Sequence, residues 1–344
     1  MTTKKSIWPL IRLVPKQTHY GFVRFARMAA SASVVLVILT FVAFATGGLR
    51  QNPITEFNNA QGGFGQKIGA VFADAFNLGI DFKGGVSIEA IAPTAIDMGT
   101  VRAALHTMPG IRDPQVQGFD KPSQIMVRFL AENNRNEQAI QTVKTELAKV
   151  VPGVRFSPPD IVGSKVSDEL YRNGIMALVA AMAMMLVYIW FRFELQMGVG
   201  SVVALLHDVV LTLGFLSVTR LEFSLTSIAA ILTIIGYSMN DTVVVYDRLR
   251  ENMRKWKSKP MDELIDLSTN ETLSRTIITG MTTLLALFGL TVVGGTTIQS
   301  FTIAMIFGVF IGTYSSIYVA APFSLLIPRS GKVQKLQTMH DDRP

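Results

Sequence analysis

The sequence has 344 residues, of which 49% are hydrophobic and only 17% are charged, whereas about a quarter of the residues of a soluble domain are charged. This composition argues against a soluble globular protein and indicates a membrane protein. The formal net charge is +7, but the basic residues cluster at the ends of apolar runs, which favours a membrane surface over nucleic acid. The chain has no cysteine, which excludes disulfides, zinc–thiolate sites and thiol nucleophiles.

Six apolar stretches are long enough to cross roughly 30 Å of bilayer hydrocarbon as helices. The first ends in Ala43-Phe44-Ala45 and so resembles a signal peptide, but its basic leader is long for one, and we predict a retained membrane anchor. The predicted membrane-spanning stretches cover residues 28–46, 173–191, 198–219, 223–246, 276–293 and 298–327.

The distribution of lysine and arginine predicts the orientation of these spans. The N-terminal arm, residues 1–27, carries basic residues and no acidic one, which places it in the cytoplasm. The segment 247–275 and the tail 328–344 are also basic, so we expect both termini and this loop to be cytoplasmic. Residues 47–172 then form an extracytoplasmic domain, and residues 173–327 hold the remaining five spans.

The extracytoplasmic segment shows the pattern of an α+β domain. Alternating strand patterns at 86–92, 114–119 and 124–131, and a last strand from about residue 154, are separated by two helical stretches at 95–108 and 132–150. The order β-α-β-β-α-β is that of the ferredoxin-like motif. We therefore predict a six-helix transmembrane bundle with an inserted ferredoxin-like domain.

The sequence LGIDFKGG at 78–85 precedes this domain. It lacks the residue order of a Walker phosphate loop. We interpret it as a glycine-bearing turn in which polar side chains satisfy the local backbone. The motif residues are Gly79, Asp81, Lys83, Gly84 and Gly85.

Three ionisable residues fall inside predicted spans, where a charge costs roughly 2.5–3.5 kcal/mol on insertion scales. Asp208 lies about 15 Å along the third span. Asp241, preceded by Asn240, lies near the cytoplasmic end of the fourth span, and Arg275 begins the fifth at a similar depth. We predict that Arg275 meets Asp241 across the bundle, because small and polar residues recur on the same helix faces.

The sixth span carries a small residue at every fourth position, including Gly308, Gly312 and Ser316. This spacing permits close approach of helix backbones. We predict that this face packs tightly inside the bundle.

Two interpretations of Asp241 remain open on residue chemistry. It could form a static hydrogen-bonded clamp with Asn240 and Arg275, or it could take up and release a proton under the influence of Arg275. His207 with Asp208 could supply a relay toward the outer side, but adjacent residues on a helix point about 100° apart, so we favour a packing or interfacial role for His207. An intramembrane aspartyl protease is disfavoured because no glycine-flanked aspartate motif surrounds Asp241. We expect no catalytic residue, cofactor or metal.

Several motifs together resemble the bacterial SecF family of protein-export membrane proteins. They are LGIDFKGG (78–85), FRFE (191–194), HD (207–208), GYSMNDTVVVYDRLREN (236–252), LSRT (273–276) and SSIYVAAP (315–322). The resemblance covers nearly the whole chain in order.

This resemblance implies a function, a set of partners and a location in the bacterial inner membrane. Members pair with SecD and resemble resistance-nodulation-division transporters, and they use an inward proton flow to promote movement of the preprotein leaving the SecYEG channel. Asp241 and Arg275 match intramembrane residues implicated in proton passage, whereas Asp208 matches a charge of less defined role. The implied partners are SecD, SecYEG, YajC, the preprotein and membrane lipid, with no nucleic acid. A proton-coupled small-solute or lipid transporter is the alternative, and H⁺ and Na⁺ both remain open as coupling ion.

Overall fold

The computed structural model describes residues 18–50, 52–59, 67, 71, 75–119, 121–132, 135–294 and 296–326. Within these residues, six helices are long and apolar enough to cross a membrane. Most of the predicted N-terminal arm and the whole predicted tail, residues 328–344, lie outside the described residues.

The six helices coincide with the six predicted stretches but are mostly longer. Most of the observed helices are longer than predicted because polar residues beside the apolar runs are also helical. They are span 1 (Phe22–Ala45), span 2 (Ser164–Arg192), span 3 (Leu195–Thr219), span 4 (Leu225–Lys255), span 5 (Met261–Val293) and span 6 (Gln299–Phe323).

Much of the segment 247–275, predicted as a basic loop, is helical. Span 4 ends with Arg254 and Lys255 in its last turn, and span 5 begins with Asp262 and Glu263 in its first turn. Basic residues at a helix C-terminus and acidic residues at an N-terminus are each favoured by the helix dipole. Residues 256–260 are left as the connection between the two helices.

The chain forms two compact units, of which the first is the helical bundle. In this unit span 1 packs against span 3, and span 6 packs against spans 3 and 5. Leu205, Leu216 and Ile231 are fully buried. Large apolar side chains such as Leu285 and Phe288 on span 5 are exposed, as expected of helix faces that contact lipid.

The N-terminal end of span 1 is held by two side chains of span 5. Asp266 Oδ1 accepts a hydrogen bond from the Val23 amide at 2.8 Å, and the Asn270 side chain both accepts from the Tyr20 amide and donates to the Tyr20 carbonyl. The contact with Val23 satisfies an amide group that the start of a helix leaves without a partner, and the contacts with Tyr20 hold the residue before the N-cap Gly21. No local pattern predicts these contacts, because the partners are about 250 residues apart in the chain.

The second unit comprises Asn77–Val179 and Leu221–Ile228. Its strands are β1 (Asn77–Leu78), β2 (Gly85–Ile91), β3 (Ile111–Gly118), β4 (Gln124–Ala131), β5 (Arg155–Phe156), β6 (Asp160–Val162) and β7 (Glu222–Phe223), and the two helices that pack on the central sheet are α1 (Met98–His106) and α2 (Asn136–Val150). The central sheet has the strand order β3-β4-β2-β5, with antiparallel neighbours.

This topology confirms the predicted β-α-β-β-α-β order, formed by β2, α1, β3, β4, α2 and β5. Ile88 of β2 and Val127 of β4 are fully buried, and Val101 of α1 and Val143 of α2 belong to the same core. The alternating strand pattern therefore marks the sheet face that the two helices cover.

The short strands β6 and β7 were not predicted. β6 pairs with β2, and β7 pairs in parallel with β1. Strands of two or three residues carry too few alternations to be recognised in sequence. β7 lies in the turn between spans 3 and 4, so this turn belongs to the second unit.

Candidate functional site

Asp241 of span 4 is held by hydroxyl groups from two other spans. Thr276 of span 5 donates to its Oδ1 at 2.6 Å, and Ser316 of span 6 donates to its Oδ2 at 2.5 Å. Both carboxylate oxygens therefore have a hydrogen-bond partner inside the bundle.

Asp208 of span 3 is completely buried. Its Oδ2 accepts hydrogen bonds from Ser238 of span 4 at 2.5 Å and from Ser315 of span 6 at 2.7 Å. Its Oδ1 lies 3.0 Å from Nδ1 of His207. The desolvated carboxylate is thus satisfied by three side chains, as a buried charge requires.

One pair of adjacent residues on span 6 serves both aspartates. Ser315 contacts Asp208, and Ser316 contacts Asp241. The regular α-helix ends at Ser315, and a π-helical segment, Ser316–Ala320, follows it. Single π-turns occur frequently at functional sites and change the direction in which side chains leave the helix. The sequence motif at 315–322 marked this segment, but its spacing did not predict two different partners.

The hydroxyl environment allows both aspartates to exist with or without a proton. A serine or threonine hydroxyl donates to a carboxylate, and after rotation the same oxygen accepts from a protonated carboxyl group. A rigid cationic partner can only donate to the ionised carboxylate and cannot accept from the protonated form. The site is therefore chemically suited to groups that change protonation state.

The predicted direct contact between Asp241 and Arg275 is not formed in this structure. The side chain that meets Asp241 belongs to Thr276, the next residue, which points about 100° away from Arg275. Arg275 and Asn240 are both exposed. The clamp of Asn240, Asp241 and Arg275 is accordingly absent, and the role of Arg275 in proton passage stays a prediction.

The expectation that His207 points away from Asp208 was wrong, and its role as a packing residue or a relay stays a prediction. The side chain bends back to Asp208, and its Nε2 lies 3.1 Å from the hydroxyl of Ser33 on span 1. The helical-wheel argument gives the direction of the Cα–Cβ bond, whereas a long side chain reaches a neighbour by rotating about it.

The glycine motif at 78–85 forms a short helix, Ile80–Lys83, that leads into β2. Gly84 and Gly85 have φ of 72° and 109°, a region that favours glycine. A Cβ on Gly85 would lie 2.7 Å from the Phe129 carbonyl oxygen. Both glycines are therefore required where the chain enters the sheet.

The polar residues of this motif do more than satisfy the local turn, contrary to the prediction. Asp81 Oδ2 accepts a hydrogen bond from the Leu225 amide at 3.0 Å, and Lys83 lies 3.5 Å from Asp113. A Cβ on Gly79 would lie 2.4 Å from the Glu222 carboxylate. The motif is therefore packed against the turn that contains β7.

A buried ion pair, which the sequence did not predict, lies beneath the motif. Arg128 of β4 and Glu222 of β7 are 3.3 Å apart, and their side chains are only 6% and 20% exposed. Arg128 also donates to Gln117 at 2.9 Å and to Asn77 at 3.3 Å. Burial raises the pKa of Glu222, and the positive charge of Arg128 opposes that rise.

The small residues of span 6 pack against span 4. A Cβ on Gly308 would lie 2.3 Å from the side chain of Ile234, and one on Gly312 would lie 3.0 Å from Ser238. Ser316 continues the same row by bonding to Asp241. The row places the serines of span 6 at the depth of the two aspartates.

Gly308→Ala is expected to destabilise the bundle by about 1–3 kcal/mol, because the added methyl group overpacks the contact with Ile234. Gly289→Ala on span 5 is the matched control, since a Cβ there meets no atom within 4 Å. Thermal unfolding of both purified variants in the same detergent measures the difference. Equal midpoints for the two variants would contradict the close packing.

The fold and the site define a six-span membrane protein with two hydroxyl-bound aspartates and an α+β domain inserted between spans 1 and 2. Residues 142–330 match the family described as protein export membrane protein SecD/SecF, C-terminal, and residues 69–90 match the SecD/SecF GG motif. The chain belongs to the SecF family of protein translocase subunits.

Relatives with a known name agree with this assignment. Protein translocase subunit SecF of Rhodobacter capsulatus is 40% identical over 331 residues, which cover 92% of this chain and 91% of the relative. The subunit of the same name from Rickettsia akari is 40% identical over 318 residues, which cover 92% of this chain and 94% of the relative.

Two solved structures share the fold. The crystal structure of SecDF, a translocon-associated membrane protein from Thermus thermophilus, is 32% identical, with a TM-score of 0.73 over 90% of this chain. SecDF in its super-membrane-facing form is 31% identical, with a TM-score of 0.62 over 96% of this chain. The chain spans only 38% and 41% of the lengths of these two SecDF chains.

Proposed function

We propose that this chain works with a SecD subunit to convert the proton motive force into preprotein translocation and release on the periplasmic side. The observation that carries the proposal is the setting of Asp241 and Asp208, whose carboxylates are bound by hydroxyl groups inside the bundle. Such partners remain available when a carboxylate gains a proton. Each aspartate is therefore able to load and unload without leaving a buried polar group unsatisfied.

The membrane potential supplies enough energy for such a cycle to move helices. One charge crossing 100 mV releases about 2.3 kcal/mol, and a buried hydrogen bond contributes about 1 kcal/mol net. Protonation of Asp241 weakens its attraction for the hydroxyl donors on spans 5 and 6. Arg275, one residue before Thr276, is proposed to modulate this step by its positive charge.

The SecDF structures support the assembly we propose. This chain matches less than half of each SecDF chain, which supports a SecD subunit as the partner that supplies the rest. Because the Thermus protein is translocon-associated, we place this chain beside the SecYEG channel and, with it, YajC and the emerging preprotein. The proposed topology has cytoplasmic termini and a periplasmic α+β domain in the bacterial inner membrane.

Reconstitution with and without this chain tests the proposed function. Proteoliposomes holding the channel and SecD, with or without this chain, are given a preprotein from outside. Their interior, which stands for the periplasm, is either made acidic, so that protons flow outward, or left without a proton gradient. We expect the gradient to accelerate completion of transport only when this chain is present. An equal response in both preparations would refute the proposal, and gradient-driven uptake of a small solute or lipid instead would favour the transporter alternative.

A further inference from the structure

A continuous row of hydrogen bonds leads from Asp208 to the backbone of span 1. Asp208 Oδ1 is 3.0 Å from His207 Nδ1, and His207 Nε2 is 3.1 Å from the Ser33 hydroxyl. The Ser33 hydroxyl is 2.9 Å from that of Tyr314 on span 6, which donates to the Ala29 carbonyl at 2.8 Å. The row therefore has four links and joins spans 1, 3 and 6.

This row of hydrogen bonds has room for one more proton than its neutral side chains supply. Each of the four links needs one hydrogen atom between its two heavy atoms. Ser33, Tyr314 and a neutral His207 provide one each, which makes three when Asp208 is ionised. One additional proton, on Asp208 or on His207, fills all four links.

The two states differ in the direction of the hydrogen bonds. Without the additional proton, His207 Nδ1–H donates to Asp208, and Nε2 accepts from Ser33. The Ser33 hydrogen is then unavailable to Tyr314, whose own hydrogen is used by the Ala29 carbonyl. With the additional proton, His207 Nε2–H donates to Ser33, and Ser33 turns to donate to Tyr314. Loading one proton thus reverses the Ser33 hydroxyl and completes the contact between spans 1 and 6.

The burial of His207 and Ser33 makes the reversal of the Ser33 hydroxyl energetically significant. His207 and Ser33 are each only 7% exposed, so bulk water is not available to replace a missing link. The groups that face the His207 ring are Asp208 on its own helix, Ser33 from span 1 and the ring of Tyr314 from span 6, at 6.0 Å between centroids. From span 4, Ser238 bonds to the other oxygen of Asp208.

We propose that His207 carries a proton with Asp208 and transmits the loaded state to Ser33 on span 1 and Tyr314 on span 6. This inference rests on the proposed proton-driven function and adds to it His207 as a group that shares the proton of Asp208, with Ser33 and Tyr314 as positioning residues. Helix packing at spans 1, 3 and 6 is thereby coupled to the charge on Asp208.

The protonation state of His207 Nε2 is the direct test. The full chain, labelled with ¹⁵N-histidine and held with SecD in lipid nanodiscs, is studied by NMR between about pH 5 and pH 9. The His207 signal is assigned by its absence in His207→Gln. We expect Nε2 to gain a proton as the pH falls, with a change in the Ser33 hydrogen bond. An Nε2 that keeps one state throughout would overturn the inference.

Tyr314→Phe tests transmission to span 6, because it removes the hydroxyl that completes the row. Loss of one such link is expected to slow gradient-dependent export roughly two- to tenfold. Tyr318→Phe is the matched control: its ring stacks on Tyr314 at 5.6 Å, one helical turn away. Ser33→Ala provides a second variant if Tyr314→Phe fails to fold, and it is expected to slow export in the same way.

The outcomes separate this inference from the function on which it rests. Equal export by the Tyr314→Phe and Tyr318→Phe variants refutes transmission through Tyr314, even if Asp241 proves essential. Conversely, the comparison of export with and without this chain tests only the proposed function. The protonation state of His207 Nε2 decides the role of His207 separately.

Discussion

Asp241→Asn is expected to remove the whole gradient-dependent part of export while leaving export without a gradient unchanged. Asparagine has nearly the shape of aspartate, and its amide group still hydrogen-bonds to the hydroxyls that Thr276 and Ser316 direct at Asp241. It has no proton to exchange at any physiological pH. The substitution therefore separates titration from packing.

Asp247→Asn, six residues further along the same helix, is the control. Asp247 forms an exposed ion pair with Arg192 at 2.6 Å, and exposed pairs contribute about 0–1 kcal/mol. Export should keep its response to the gradient in this variant. Copurification with SecD monitors assembly in both. If the Asp241→Asn complex assembles and still responds fully to the gradient, Asp241 is not the coupling group; if it fails to assemble, Asp241 acts as a structural clamp.

Arg128→Met is expected to destabilise the α+β unit by roughly 3 kcal/mol, because it leaves the Glu222 carboxylate buried without its cation. The methionine fills much of the space of the arginine stem, so that the lost charge dominates the effect. Hydrogen exchange of the β2 and β4 amides in the full-length chain measures the change. Such a loss corresponds to about a hundredfold faster exchange through unfolding.

The loss of stability caused by Arg128→Met should depend on pH in a defined direction. Burial already raises the pKa of Glu222 above 4.5, and Arg128 opposes that rise, so removing Arg128 raises the pKa further. A carboxyl group whose folded pKa is raised loses stability as the pH increases from its unfolded pKa towards its folded pKa. The destabilisation by Arg128→Met should accordingly be smaller at acidic pH than at neutral pH.

A double variant provides the control for this ion pair. Arg128→Met with Glu222→Met removes both charges, and replacing a buried pair by apolar residues is often neutral. We expect most of the lost stability to return. If the double variant is as unstable as Arg128→Met alone, the hydrogen bonds from Arg128 to Gln117 and Asn77, rather than its charge pair, hold the unit together.

The sequence was sufficient for those features that repeat along the chain. Apolar length located all six spans, and strand alternation located the sheet of the α+β unit, because each pattern extends over many residues. The inward face of Gly308 and Gly312 followed from helical spacing. Resemblance to SecF supplied the candidate residues for proton passage, Asp241 and Arg275, in advance of the geometry.

Contacts set by side-chain rotation or by distant strands were missed. Thr276 replaced Arg275 as the partner of Asp241, and His207 turned towards Asp208, because a helical wheel fixes neither rotamers nor the exact rotation of one helix against another. The π-turn after Ser315 changed the direction in which the following side chains of span 6 point. The pairing of Arg128 with Glu222 depends on β7, a strand of two residues.

Proton movement through the reconstituted complex is the measurement that tests the central claim most directly. Proteoliposomes containing this chain, SecD and the channel are loaded with a pH-sensitive dye and given an acidic interior, the side that receives the preprotein and stands for the periplasm. Preprotein is supplied from outside, and protons then flow outward. We predict loss of the interior acidity with the wild-type chain and with Asp247→Asn, and none above background with Asp241→Asn. Equal loss of acidity by the wild-type and Asp241→Asn complexes would contradict the proton-coupling role of Asp241.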